Sequence, residues 1–102
     1  MLRVVRVARR SGTKARTQAA NQLDSLVVTA PDELRGQLRG LAPDRLVEVA
    51  AALRPAELAC PVAATKLALR ELARRHQALG AEIARLDTEL AKLAPKVDHR
   101  DE

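Results

Sequence analysis

The stretch PVAATKLALRELARRHQALGAEIARLDTELAKLAPKV, residues 61–97, decides the fold. Its apolar positions step by alternating threes and fours: Val62, Thr65, Leu69, Leu72, His76, Leu79, Ile83, Leu86, Leu90, Leu93 and Val97. An ordinary amphipathic helix drifts toward a 3.6-residue period, so a 3.5-residue register held for about five repeats predicts a coiled-coil seam. Thr65 and His76 are the polar members of that a/d row. Pro61 suits the first turn of the helix and Pro95 marks its end. Arg75, Glu82, Glu89 and Lys96 take the g positions, and Ala73, Gly80, Asp87 and Ala94 the e positions. A parallel in-register homodimer would set Glu82 against Asp87 of its mate, two like charges; antiparallel packing, or packing against the first helix, avoids that clash.

Working back toward the N-terminus, Pro43-Asp44 and Pro31-Asp32 repeat one start signal, a proline at the first turn with an acid at the positive helix end. They predict short helices from Asp32 to about Leu38, closed by Gly40, and from Pro43 to about Leu53, stopped by Arg54-Pro55. Before them, residues from Leu2 to about Val28 read as one long helix. Val4, Val5, Ala8, Gly12, Ala15, Ala19, Leu23 and Leu26 gather on one side, and Arg3, Arg6, Arg9, Arg10, Lys14 and Arg16 on the other. The expected architecture is all-α: two long helices joined by two short ones, folded as an antiparallel hairpin that also self-associates. Residues 1–30 form the basic helix, 31–60 the connector, 61–95 the heptad helix and 96–102 a frayed polar tail.

Composition agrees with that reading. Apolar residues make up 47% of 102 residues, yet Phe, Tyr and Trp are absent. A core of Ala, Leu and Val suits close helix contacts better than a sheet. One cysteine excludes an intramolecular disulfide, and no apolar run of about 18 residues is present. With no apolar leader either, the expectation is a cytoplasmic protein that does not enter membranes.

Charge is unevenly placed. Residues 1–40 hold eight Lys/Arg against three Asp/Glu, a net of +5, while residues 41–102 hold ten of each. Arg3, Arg6, Arg9, Arg10, Lys14 and Arg16 precede the first acid, Asp24. A polyanion is the natural partner for such a helix, nucleic acid first and an anionic membrane surface second. The competing account is a solvated face. Small residues such as Ala8, Ala15 and Ala19 are poor lipid anchors. Without aromatic rings there is nothing on which to stack single-stranded bases, which leaves backbone contact and duplex shape.

No constellation for chemistry emerges. His76 lies on the seam and His99 in the tail, neither spaced for a nucleophilic triad. Cys60 precedes a helix start and reads as a small, partly buried residue; with His76 and His99 it lacks metal-site spacing. Glu82, Asp87 and Glu89 read as a salt-bridged flank beside Arg85 and Lys92. The expectation is no catalytic residue, no metal and no cofactor.

Two segments carry a family resemblance. Arg9-Arg10, then Lys14-Ala-Arg-Thr-Gln-Ala-Ala-Asn-Gln-Leu23, Leu26 and Thr29-Ala-Pro31 form the first. Ala64-Thr-Lys-Leu-Ala-Leu-Arg-Glu-Leu-Ala-Arg-Arg75, Glu82-Ile83 and Leu86-Asp87 form the second. Together, over about residues 2–95, they resemble the middle segment of DEDD-type bacterial insertion-sequence transposases, relatives of the Piv DNA invertase. In that family the metal-binding acids lie upstream and the catalytic serine downstream, and neither Ser11 nor Ser25 matches the serine motif. The resemblance implies a non-catalytic segment of a DNA transposition protein. Its basic helix would meet DNA or a structured guide RNA, and its coiled coil would join protomers through Leu69, Leu72, His76, Leu79, Ile83, Leu86, Leu90 and Leu93. After Pro95 the tail departs from the pattern, so a truncated copy or a fragment is expected. The alternative is a free-standing helical interaction module whose basic helix is merely solvated.

Overall fold

A computed structural model describes residues 2–55 and 61–93. Four helices fill them: α1 (Leu2–Val28), α2 (Asp32–Leu38), α3 (Pro43–Ala51) and α4 (Pro61–Leu93), with no strand among the described residues. Cys60, the e and g residues Ala94 and Lys96, the last seam residue Val97, and His99 lie outside the described residues.

Local chemistry sets the corners. Thr29 Oγ1 donates to Leu26 O at 3.3 Å, occupying a carbonyl left open at the end of α1, and Pro31 then prevents continuation. Arg35 pairs with Asp32 on α2 and donates to Val28 O at 3.4 Å, tying α2 back to α1. Gly40 has φ +82°, a left-handed turn that a side chain would strain. Pro43 opens α3. That helix ends at Ala51, two residues short of the sequence expectation of Leu53. Ala52 N–H and Leu53 N–H donate to Val49 O and Ala50 O at 3.2 and 3.1 Å, a tightened turn ahead of Arg54-Pro55. Arg74 Nε of α4 donates to Ala51 O at 3.1 Å and holds that end in place.

The largest core gathers at one end of the molecule. Leu23 and Val27 of α1, Ala30, Leu34 and Leu38 on α2 and its approach, Leu46, Val47 and Ala50 of α3, and Leu69 and Ala73 of α4 pack together. Leu23, Leu34, Leu38 and Leu69 are fully buried; each such burial stabilises by about 1.5–3 kcal/mol. Beyond this base, the N-terminal half of α1 and the C-terminal half of α4 continue alone as an antiparallel pair, giving a molecule of 55 × 24 × 17 Å.

One sequence expectation is corrected along that pair. Arg9 and Arg16 do not stand on the outer face of α1, opposite the apolar stripe, where the sequence pattern predicts them. Both are half-buried and lie on the α4 side, whereas Val4 (71% exposed) and Ala8 face solvent. Arg9, Gly12 and Arg16 meet Asp87, Ile83 and Gly80 of α4, and Val5, Ala19 and Leu23, half-buried or buried, continue the same spacing by fours and threes. Long arginine stems can lie along an apolar seam while their heads reach its edge.

Candidate nucleic-acid interface

Arg3, Arg6, Arg10 and Lys14 are exposed and recur at three- and four-residue steps, which puts them on one strip of α1. At 1.5 Å per residue the strip is about 16 Å long. Arg6, Arg10 and Lys14 line a shallow depression together with Arg9 and Thr13. Thr13 Oγ1 is buried and has no hydrogen-bond partner.

Arg9 shares the depression but is engaged elsewhere. Its Nε and Nη2 both donate to the Asp87 carboxylate of α4, the latter at 3.4 Å. The hydrogen bond and the charge of Asp87 raise the Arg9 pKa above its ordinary value. Arg16 reaches over Gly80, where a methyl group would stand 3.9 Å from its Nη1. Of the six sequence-predicted cations, four therefore form the strip and two belong to the contact between α1 and α4.

The heptad row is divided in a comparable way. At the a positions Leu69 and Ile83 are buried, and His76 and Leu90 are half-buried. Ala73, an e residue that the a/d reading passed over, is fully buried. The a/e edge is thus occupied within the chain, by α1 along its length and by α3 at the base. The d residues Leu72, Leu79, Leu86 and Leu93 are likewise only half-buried, Leu72 packing against the core. Leu72 also borders a groove with Gln18, Gln22, Ser25 and Leu26 of α1. The basic strip lies on the other flank of α1, about 100–180° around that helix from its α4-facing line.

His76 sits where α1, α3 and α4 meet. It borders a small cavity of about 80 Å³ with Ala20, Leu23 and Asp24 of α1 and Pro43, Asp44, Leu46 and Val47 of α3. Burial lowers its pKa and Arg16 lowers it further, against an opposing pull from Asp44. Among the described residues no group of three or more His, Cys, Asp or Glu could hold a metal ion, and no helix is long and apolar enough to cross a membrane. No protein-family model, curated protein or solved structure matches the chain.

Proposed function

We propose that the chain is a non-catalytic, nucleic-acid-binding and self-associating helical segment, of the kind that lies in the middle of insertion-sequence transposases. The observation that carries the reading is the exposed strip Arg3, Arg6, Arg10 and Lys14, on a helix with no acid before Asp24. Such a strip meets phosphates through charge and releases counterions on binding. The half-exposed leucines of α4 support the self-associating part, because a second copy could cover them while leaving the basic strip open. The chain's resemblance to the transposase segment, stated above from its residues, supplies the biological setting.

Binding to duplex DNA and to a structured RNA, measured as a function of salt, tests this. If the strip neutralises about four phosphates, log K falls against log[salt] with a slope near −3 to −4. Replacing Arg3, Arg6, Arg10 and Lys14 by Gln removes most of the affinity, whereas replacing Arg85 and Lys92 changes little. Absence of binding at about 50 mM salt would instead favour a helical interaction module with a solvated basic face.

A further inference from the structure

We propose that Asp87 is a built-in competitor for the ligand of the basic strip: it occupies Arg9 and thereby limits the grip of α1 on a phosphodiester backbone. The inference rests on the nucleic-acid reading and adds a means of setting its strength. Arg9 borders the same depression as Arg6, Arg10, Thr13 and Lys14, so its position suits a shared phosphate. Its two donors instead engage the two oxygens of Asp87. A guanidinium presents that paired-donor edge equally well to a carboxylate or a phosphate. Asp87 therefore stands where a phosphate oxygen pair would stand.

The pair is accessible to exchange. The Arg9 side chain is 41% exposed and the Asp87 side chain 49%. Ion pairs this open contribute little to stability because water and salt screen them. The Asp87 carboxylate and a phosphate compete for the same Arg9 donors, so the paired chain grips a polyanion less tightly than one in which Arg9 is released. The other acids on that stretch of α4 are engaged differently: Glu89 pairs with Lys92 at 3.1 Å, and Glu82 lies over Gly12.

The test uses the full chain with a labelled duplex DNA and a hairpin RNA, each titrated between about 50 and 200 mM salt. Asp87→Asn keeps the shape and removes the charge. It should bind on the order of three- to tenfold more tightly, with a slope steeper by about 0.9 as one further phosphate is contacted. In the wild-type background Arg9→Gln should lose less affinity than Arg10→Gln. The double variant Arg9→Gln/Asp87→Asn should return to the level of Arg9→Gln alone. A gain that persists in the double variant overturns the proposal, since it would come from net charge and not from Arg9. An unchanged slope in Asp87→Asn overturns it as well. Asp87→Ala repeats the measurement with a second side chain, and helical circular dichroism checks that each variant is folded. If neutralising Arg3, Arg10 and Lys14 leaves wild-type affinity intact, the nucleic-acid reading itself falls. If that neutralisation abolishes binding while Asp87→Asn has no effect, only the role of Asp87 falls.

Discussion

Gly12 of α1 lies so close to Ile83 of α4 that a methyl group on its Cα would stand 3.3 Å from Ile83 Cγ1 and 3.1 Å from the Glu82 carboxylate. This is the one buried α1 residue in the outer part of the hairpin, and the missing side chain is what lets the two helices meet there.

Gly12→Val should therefore destabilise the chain by about 1–3 kcal/mol, as overpacking generally does. Gly80→Ala should act in the opposite direction. Its added methyl meets only Arg16 Nη1 at 3.9 Å, an ordinary contact, and the helix gains about 0.5–1 kcal/mol of propensity. Thermal denaturation followed by circular dichroism measures both. Equal shifts for the two variants would show that α1 does not approach α4 at Gly12.

His76 provides a pH-dependent expectation with a definite sign. Burial and Arg16 lower its folded-state pKa, so the unfolded chain takes up the proton more readily. Stability should be full above the ordinary value of about 6.5, fall as pH drops below it, and level off once pH is beneath the folded-state pKa. Arg16 and Asp24 of α1 and Asp44 of α3 are the charged groups around it. His76→Leu should remove the dependence and raise the melting temperature by filling the small cavity. Parallel melting of wild type and His76→Leu from about pH 5 to 8 would mean that the imidazole is not enclosed.

Arg16→Met probes the division of the six cations. Loss of the guanidinium should raise the His76 pKa, readable by NMR titration, because one of the two causes that lower it disappears. The salt slope of nucleic-acid binding should change less than with Arg10→Gln. A larger change for Arg16 than for Arg10 would place Arg16 in the interface.

Leu69 and Leu86 separate folding from association. Leu69 is fully buried in the base, so Leu69→Ala should cost about 2–5 kcal/mol at any protein concentration. Leu86 is half-exposed on the d flank. Leu86→Ala should cost less in dilute solution and should weaken self-association, seen by light scattering. A wild type that stays monomeric at high concentration would remove the basis for a second copy on that flank.

Much of the architecture was legible because strong local signals coincide with periodicity. The bounds expected for α1 and α2 are those observed, and α4 begins at Pro61 as expected; α2 and α4 rest on a proline at the helix start, and α1 on its periodicity and on Pro31 beyond its end. What a heptad cannot state is the identity of the partner: Leu69 and Ile83 face their own chain, and the pattern would read the same for a second copy. Arg9 and Arg16 depart from the expected face because spacing, more than charge, sets which side of a helix a residue takes. Their fours-and-threes relation to Val5, Gly12, Ala19 and Leu23 was present in the sequence and was the signal to use. The burial of Ala73 has no sequence signal, because an alanine at an e position gives no contrast on either face. The Arg9–Asp87 contact joins residues 78 apart, a separation at which periodicity within one helix carries no information.

The four-helix base and the two-helix arm should also differ in how readily they open. Backbone amides around Leu23, Leu46 and Leu69 can exchange with solvent deuterons only through something close to global unfolding, whereas those near Val5 and Leu90 need only the arm to part. Hydrogen exchange should accordingly accelerate from base to tip along both long helices. The basic strip lies on this readily opened arm, so an anionic ligand that binds only the paired arm would slow exchange most at the tip, far from the part of the molecule that sets its melting temperature.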